Sequence, residues 1–341
     1  MRTQDFDYHL PPELIAQTPA EPRDAARLLV LRRDTGELEH RIFRDLPEYL
    51  RPGDALVVND SRVIPARLHG RRTDTGGAVE ALLLRRAGPD LWEAMVRPGR
   101  RLRPGARVRF QRDGEAAEAT VEGVTQEGHR LLRFPPGTDP TALGRVPLPP
   151  YIHAPVPDPE RYQTVYAREE GSVAAPTAGL HFTPALLEAV RARGVQVVPV
   201  TLHVGPGTFR PVQAEDPRRH RMHGEAFTVP AASAEALTAV RAAGGRVVCV
   251  GTTTVRVLET LGLQAGEGPL QPAAGWTELM ILPGHRFRWV DALITNFHLP
   301  RSTLLMLVSA LAGREPVLRA YEEAVRRRYR FFSFGDAMLI L

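Results

Sequence analysis

Lysine is absent from this 341-residue chain, and all 44 basic residues are arginine. That absence excludes Schiff-base catalysis by a lysine, and it excludes the phosphate-binding loop that requires one. Cysteine occurs once, as Cys249, so an internal disulfide and a cysteine-rich metal site are excluded as well. In "RVVCVG" we interpret this cysteine as a small buried side chain on a strand rather than a catalytic thiol.

Long apolar runs are also missing. No stretch approaches the roughly 20 apolar residues of a membrane helix, and residues 1–16 lack the apolar core of a signal peptide. We therefore expect a cytoplasmic protein with no membrane partner. The net charge of +5 and the pI near 9.8 are a mild indication of a polyanionic partner such as RNA, although a slightly basic enzyme explains them equally well.

Glycine and proline turns divide residues 65–134 into short segments with alternating apolar positions. The segments read "ARLHGRR", "AVEALLLRR", "LWEAMVRP", "ARVRFQR", "EAAEATVEG" and "HRLLRF". Frequent turns between alternating segments predict a small antiparallel barrel or sandwich. With the start of the proline-rich connector that follows, we assign residues 65–149 to an inserted all-β barrel domain.

The rest of the chain alternates helical and strand patterns. "PALLEAVRARG", "SAEALTAVRAAGG" and "TLLMLVSALAG" have helical spacing, whereas "DALVVNDS", "VQVVPVTLHVG", "RVVCVG" and "VDALITNF" are apolar strands. This alternation predicts an α/β fold in which helices cover a mixed sheet. Residues 1–64 and 150–341 would then form one discontinuous catalytic domain.

Four of the strands end in polar or glycine-rich stretches, "VVNDSR", "TLHVGPGTF", "VCVGTTTVR" and "LITNFHLPRST". Ligands of α/β sheets bind beyond the carboxyl ends of the strands. The only two asparagines of the chain, Asn59 and Asn296, both lie at such ends. Residues 251–254, "GTTT", open a helix and would offer hydroxyls and backbone N–H groups to a carboxylate or phosphate, although ordinary helix capping explains them about as well.

Histidines cluster in the C-terminal half of the chain, and their ordinary pKa near 6.5 suits general acid or base catalysis. His220, His223 and Glu225 also have a spacing that metal ligands can use. A lone histidine is more often a hydrogen-bonded core residue than a ligand, and we expect no metal site.

The segment "RRRYRFF" follows a helix. Its arginines would complement the helix dipole, or would contact phosphates beside stacked bases.

Several motifs, taken together and in this order, indicate a protein family much more specifically than any one of them does alone. "FDYHLPPELIAQTPAEPRDAARLLVL", "GDALVVNDSRVIPARLHG", "SVAAPTAGLHFT", "LHVGPGTFRPV", "HRMHGE", "VGTTTVRVLE", "TNFHLPRSTLLMLVSALAG" and "YRFFSFGDAMLI" closely resemble the S-adenosylmethionine:tRNA ribosyltransferase-isomerase family of queuosine biosynthesis. The resemblance runs from end to end, and the all-β insertion is its least distinctive part.

The resemblance implies both a fold and an activity. The fold would be an α/β domain with an inserted β-barrel. The enzyme would transfer the ribosyl part of S-adenosylmethionine to the 7-aminomethyl group of a 7-deazaguanine at the tRNA wobble position and rearrange it to an epoxy-cyclopentane, giving epoxyqueuosine-tRNA. Adenine and methionine would leave, and S-adenosylmethionine would be a consumed substrate, so that no cofactor is expected. We expect a monomer.

Site residues follow from the resemblance as hypotheses. The candidates for proton transfer are His181, His223, Glu225, His298 and Asp60. The candidates for substrate binding are Asn59, Arg62, Thr177, Gly179, Phe182, Gly205, Gly207, Thr208, Phe209, Gly251, Thr252, Thr253, Arg256, Asn296 and Ser302. Within this set the Gly251 turn, with Arg256, would hold the methionine carboxylate, and Gly205, Gly207 and Phe209 would contact the adenosyl group. The tRNA-binding candidates are Arg326, Arg327 and Arg330.

Three alternatives stay open at this point. A metal-dependent hydrolase would use His220, His223 and Glu225, whereas a non-catalytic RNA-binding module would use the barrel and the arginines. A conventional methyltransferase is disfavoured, because no glycine-rich first turn follows a strand.

Overall fold

The structure, a computed structural model, describes residues 1–154, 158–205, 207 and 212–341. Five α-helices occur in this part of the chain: α1 Pro184–Ala192, α2 Ala231–Ala242, α3 Thr252–Ala265, α4 Thr303–Ala312 and α5 Arg314–Arg326. Short 3-10 helices occur as well, among them Phe43–Tyr49, Gly99–Arg101, Pro140–Leu143 and Thr177–His181. No helix in the described ranges is long and apolar enough to cross a membrane.

Seventeen strands accompany these helices in the described ranges. They are β1 Arg27–Leu31, β2 Leu38–Ile42, β3 Ala55–Asn59, β4 Ser61–Val63, β5 Arg67–Arg72, β6 Ala78–Gly88, β7 Leu91–Arg97, β8 Arg107–Arg112, β9 Glu115–Val124, β10 Arg130–Arg133, β11 Glu169–Ser172, β12 Gln196–Leu202, β13 Glu225–Val229, β14 Val247–Val250, β15 Ala273–Thr277, β16 Ala292–Asn296 and β17 Ala337–Ile340.

The chain forms two compact units. The barrel unit comprises Arg62–Pro149 and Glu170–Ala174, and the sheet unit comprises Met1–Ser61, Pro150–Glu169 and Ala175–Leu341. The barrel unit thus includes residues 62–64 and 170–174, which the sequence boundaries had left with the α/β part.

The barrel unit is a closed antiparallel barrel with the strand order β10-β7-β6-β5-β8-β9. Its strands alternate inward and outward positions, as β8 illustrates: Val108 and Phe110 are buried, whereas Arg107, Arg109 and Gln111 are exposed. Each of the six segments that the turn spacing had separated forms one of these strands. The predicted all-β architecture is therefore confirmed.

The sheet unit contains a nine-stranded sheet in the order β15-β13-β12-β3-β14-β16-β17-β1-β2. β12, β3, β14 and β16 run parallel to one another, while β13 and β17 run antiparallel on either side of them. The mixed α/β sheet predicted from the sequence is confirmed. The carboxyl ends of the four parallel strands meet along one edge of the sheet, which is where such sheets bind ligands.

The helices begin and end at the residues that the sequence marks. The Thr183 hydroxyl accepts a hydrogen bond from the Leu186 N–H at 3.1 Å, Pro184 opens α1, and Gly194 adopts a φ of +77° just beyond its end. Ser302 caps α4 in the same way, because its hydroxyl accepts from the Leu305 N–H at 3.2 Å.

Candidate active site

A cleft opens at the carboxyl ends of β14 and β16. It is lined by Tyr151, Ala175, Pro176, Thr177, Ala178, Val204, Gly251, Thr252, Thr253, Thr295, Asn296, Phe297, His298, Leu299, Ser302, Leu304, Phe332 and Ser333. The amino-terminal ends of α3 and α4 both contribute to this lining. Seven of the residues predicted from the sequence are therefore brought together: Thr177, Gly251, Thr252, Thr253, Asn296, His298 and Ser302.

Asn296 ties three segments of the cleft together. Its amide nitrogen donates to the Phe332 carbonyl at 3.1 Å and to Nε2 of His181 at 3.2 Å, while its amide oxygen accepts from the Thr177 hydroxyl at 3.0 Å. The Phe332 carbonyl can only accept, so the orientation of the amide is fixed. Both N–H groups of the amide are thus used within the protein, and its oxygen accepts one hydrogen bond.

This orientation also fixes the tautomer of His181, because a ring nitrogen that accepts from Asn296 carries no proton. Burial, together with the positive charges of Arg330 and Arg23, lowers the pKa of His181 to about 3. The ring also lies against Phe43, with 4.9 Å between ring centroids. His181 is therefore neutral at physiological pH, and its Nε2 lone pair is already engaged.

His298 differs from His181 in how its ring is used. Its Nε2 lies 2.7 Å from the Thr295 hydroxyl, and burial lowers its pKa to about 3. Within the described residues no hydrogen bond reaches Nδ1, and the side chain lines the cleft. Of the two buried histidines, His298 is the one that lines the cleft.

The amino terminus of α3 supplies a second polar wall of the cleft. Gly251 has a φ of +89°, which lets the chain turn sharply from β14 into the helix. The Thr254 hydroxyl donates back to the Gly251 carbonyl at 2.9 Å, whereas the Thr253 hydroxyl has no hydrogen-bond partner among the described residues. The backbone N–H groups of the first helical turn also lack partners within the helix. This wall suits an anionic group.

Asp60 directly follows β3 and is not one of the residues that line the cleft. Its two carboxylate oxygens accept from the Thr201 hydroxyl at 2.6 Å and from the Arg168 guanidinium at 3.0 Å. Burial raises its pKa, and the bonds from Thr201 and Arg168 only partly oppose that shift. A carboxyl group with a raised pKa suits proton transfer near neutral pH.

Asn59 precedes Asp60 and joins β3 to β12. Its amide nitrogen donates to the Leu202 carbonyl, and its amide oxygen accepts from the Leu202 and Ser61 N–H groups, all within 3.1 Å. The residue is buried. Asn59 therefore links two strands, and its amide does not point at a ligand in this structure.

Glu225 and Arg256 form a buried ion pair between β13 and α3. Glu225 also accepts from the Gly205 N–H at 2.9 Å, and Arg256 donates to the carbonyls of Thr277 and Leu279. Both carboxylate oxygens of Glu225 are occupied, and Arg256 points toward Glu225 rather than into the cleft. The predicted roles in proton transfer and carboxylate binding stay predictions, and this geometry favours a structural role for the pair.

The remaining candidates are scattered. A side chain on Gly179 would collide with the Tyr166 hydroxyl, and one on Gly207 would collide with the exposed His223 ring. Phe182 packs edge-on against Phe43 in the core. Arg62 belongs to the barrel unit, and Thr208 and Phe209 lie outside the described residues.

The three arginines predicted to bind tRNA are already engaged. Arg326 and Arg327 both pair with Glu323, and Arg330 donates to the Thr18 carbonyl. The positive charge of Arg326 and Arg327 is thus partly neutralised by one carboxylate, whereas Arg330 keeps its charge.

A family model described as "Queuosine biosynthesis protein" matches residues 3–340. The chain belongs to this family. One relative, the S-adenosylmethionine:tRNA ribosyltransferase-isomerase of Symbiobacterium thermophilum, is 60% identical, with 100% of both chains covered. The protein of the same name from Moorella thermoacetica is 58% identical, again with 100% of both chains covered.

A solved structure of the queuosine biosynthesis family is similar as well. The crystal structure of an S-adenosylmethionine tRNA ribosyltransferase from Thermotoga maritima matches with a TM-score of 0.58 and 44% identity, covering 99% of this chain and 100% of that one. The similarity to that structure therefore extends over nearly the whole chain.

Sequence patterns missed several polar residues around the site. Tyr151 and Ser333 lie in the cleft with their hydroxyl oxygens 2.5 Å apart, and Thr201 and Arg168 hold Asp60. His203 follows β12, and its buried Nδ1 has no partner among the described residues. Thr201 and His203 lie in "TLHVGPGTF", one of the polar or glycine-rich strand ends predicted from the sequence. Ser333 lies in the motif "YRFFSFGDAMLI" but was not singled out, and Arg168 carried no signal, because only the tertiary fold brings it to Asp60.

Proposed function

We propose that this chain transfers the ribosyl moiety of S-adenosylmethionine to the 7-aminomethyl group of 7-deazaguanine at the wobble position of tRNA and isomerises it. The tRNA product carries epoxyqueuosine, and adenine and methionine are released. Because the second substrate is tRNA, the reaction takes place in the cytoplasm. S-adenosylmethionine is consumed, and the protein acts as a monomer without a further cofactor.

The observation that carries this proposal is the full-length match to the family, with 60% identity to a relative that bears the activity in its name. A match of this length includes every motif from which the site was predicted, from Asn59 to Ser302. The arrangement of the cleft gives independent support, because its polar groups suit a substrate with a carboxylate.

The reaction needs a base for the carbon next to the sulfonium and a proton or hydrogen bond for the departing adenine. His298 is neutral at physiological pH because its pKa is about 3, so it can accept a hydrogen bond, although the same low pKa makes it a weak base and it does not enter the reaction as an acid. Asp60 has a raised pKa, so its carboxyl group can either accept or donate a proton. His298 has the position in the cleft, and Asp60 has the pKa that better suits proton removal.

The methionine carboxylate fits the amino terminus of α3. The unpartnered hydroxyl of Thr253 and the free N–H groups of the first turn are donors, and the helix dipole favours a negative charge there. Thr252 and Gly251 line the same wall. In this proposal Arg256 acts indirectly, because it holds Glu225 and the start of β13 in place.

A metal-dependent hydrolase is not favoured. Glu225, one of the three ligands it would need, is bound by Arg256 and by the Gly205 N–H. The relatives are named as transferase-isomerases, and the family match leaves no basis for preferring a hydrolase or a non-catalytic RNA-binding module.

The test is one incubation of the protein with S-adenosylmethionine and tRNA carrying the 7-aminomethyl-deazaguanine, followed by chromatography of the small molecules. We expect adenine and methionine to appear in equal amounts, and only when that tRNA is present. Release of S-adenosylhomocysteine instead would show that the protein transfers the methyl group and not the ribosyl group.

A further inference from the structure

The barrel unit carries the whole net charge of the chain. Of the 44 basic and 39 acidic residues it contains 16 and 11, a net charge of +5, which leaves 28 of each in the sheet unit. An excess of charge confined to one unit attracts a polyanion to that unit, over the roughly 8–10 Å that the field reaches at physiological salt. The sheet unit as a whole has no such bias.

The excess is concentrated in one stretch of the barrel. Residues 94–112 contain seven arginines and no acidic residue. Six of the seven are exposed: Arg97, Arg100, Arg101, Arg103, Arg107 and Arg109. On β8 the burial of Val108 and Phe110 in the barrel core forces Arg107 and Arg109 onto the outer face.

A groove on this outer face gathers charges from three segments. Its basic and amide side chains are His69 of β5, Arg109, Gln111 and Arg112 of β8, and Arg145, which follows the 3-10 helix Pro140–Leu143. Asp113 and Glu115 line the groove too. Asp113 is paired with Arg112 at 3.0 Å, and the three arginines of the groove outweigh its two carboxylates by one positive charge.

Two of these arginines are unpaired. In the barrel unit, all of which is described, neither Arg109 nor Arg145 makes a side-chain hydrogen bond or an ion pair. Arg109 stands directly opposite Arg71 of β5 on one side and Glu118 of β9 on the other. Glu118 pairs with Arg107 at 3.3 Å. Like charges opposite each other on a sheet are destabilising, so Arg71 and Arg109 have an energetic reason to bind an anion.

We propose that this groove, lined by His69, Arg109, Arg112 and Arg145, binds the phosphodiester backbone of the tRNA substrate. The proposal rests on the proposed function for the identity of the RNA. Guanidinium groups bind phosphate oxygens through paired N–H donors, and such contacts position a nucleic acid without reading its sequence. The groove therefore orients the tRNA, and base recognition takes place elsewhere.

The test compares three pairs of substitutions in the full-length chain. Arg109→Gln with Arg145→Gln removes the two unpaired groove charges. Arg191→Gln with Arg193→Gln is the matched control, since both residues are exposed at the end of α1. Arg326→Gln with Arg327→Gln tests the rival surface. For each pair, the Kd for tRNA carrying 7-aminomethyl-7-deazaguanine is measured between 50 and 300 mM salt, together with the melting temperature.

The groove pair should weaken tRNA binding about tenfold at low salt and reduce the slope of log Kd against log salt by about 1.4 to 1.8, the value for two lost phosphate contacts. The melting temperature and the KM for S-adenosylmethionine should not change. Binding within twofold of wild type, or weaker binding with an unchanged salt slope, would overturn the proposal. So would a tenfold loss in the Arg326 and Arg327 pair alone.

The same assays separate this proposal from the proposed function. If the groove pair weakens tRNA binding as expected but the wild-type protein never releases adenine, the proposed function fails while the groove remains the RNA surface. If adenine is released and the groove pair binds tRNA normally, the groove assignment fails on its own.

Discussion

At the scale of single residues, the amide of Asn296 is the centre of the site, because it bonds Thr177, His181 and Phe332 at once. Asn296→Ala should therefore lower the free energy of unfolding by about 2–4 kcal/mol, since it leaves buried partners unsatisfied. Thr177→Val, which removes one of the three bonds, should cost about 1 kcal/mol. Urea unfolding of both variants measures the difference, and equal costs would show that the amide is not the common anchor.

The two buried histidines make stability depend on pH. His181 and His298 have pKa values of about 3 in the folded chain and near 6.5 when unfolded, so the unfolded chain binds more protons between these values. Their contribution to the free energy of unfolding is complete above pH 6.5. As the pH falls below that value, each histidine lowers the free energy of unfolding by up to about 1.4 kcal/mol per pH unit.

His298→Gln isolates this effect, because the carboxyl groups of the chain are the same in both proteins. Unfolding free energies measured from pH 6.5 to 5.0 should fall more steeply for wild type than for the variant. Parallel pH dependences would mean that His298 titrates normally in the folded state.

Residue patterns predicted which strands end in polar groups better than they predicted the direction of those side chains. Asn59 and Asn296 do lie at the carboxyl ends of β3 and β16. The sequence could not show that Asn59 bonds Leu202 and Ser61, since those bonds depend on the pairing of β3 with β12. A polar residue at a strand end either faces a ligand or joins neighbouring segments, and only the fold distinguishes the two.

At the scale of elements, the first turn of α3 contains two threonines whose hydroxyls differ in their contacts. Among the described residues the Thr253 hydroxyl has no hydrogen-bond partner, whereas the Thr254 hydroxyl bonds the Gly251 carbonyl. Thr253→Val should raise the KM for S-adenosylmethionine about three- to tenfold, the equivalent of one lost hydrogen bond, without lowering stability. Thr254→Val should lower stability by about 1 kcal/mol and leave that KM unchanged. Steady-state kinetics and urea unfolding of the two variants measure these effects. If Thr254→Val raised the KM and Thr253→Val lowered stability instead, the carboxylate would not bind at α3.

The ion pair of Glu225 on β13 with Arg256 on α3 is expected to affect stability. Glu225→Gln should destabilise the fold by about 3–5 kcal/mol, because Arg256 is left as an uncompensated buried charge. Adding Arg256→Met should recover part of that loss. A double-mutant cycle of unfolding free energies measures the coupling, and additive effects would argue against a structural pair.

Most elements were predictable because their signals are local. α1 has its Thr183 cap, its proline and its terminal glycine in sequence, and the barrel strands are separated by turns. β17 was not predicted, although all four of its residues are buried in the middle of the sheet. Its short apolar run shows neither the helical nor the alternating spacing of apolar residues. Its place between β16 and β1 depends on partners more than 40 residues away in sequence.

At the scale of the whole molecule, charge and chemistry are divided between the units. The sheet unit has no net charge and contains the polar cleft, whereas the barrel unit carries the +5 of the chain. The composition of the whole chain hides this division, since a net charge of +5 over 341 residues is only a mild bias. Once the boundaries are known, the same count indicates where a polyanion binds.

The central claim is that the ribosyl carbons of S-adenosylmethionine, and not its methyl group, reach tRNA. Two preparations of S-adenosylmethionine, one labelled in the ribose and one in the methyl group, test it most directly. After incubation with the protein and tRNA carrying 7-aminomethyl-7-deazaguanine, the ribose label should be recovered in the tRNA and the methyl label in free methionine. Methyl label in the tRNA, or no label in it from either preparation, would contradict the account.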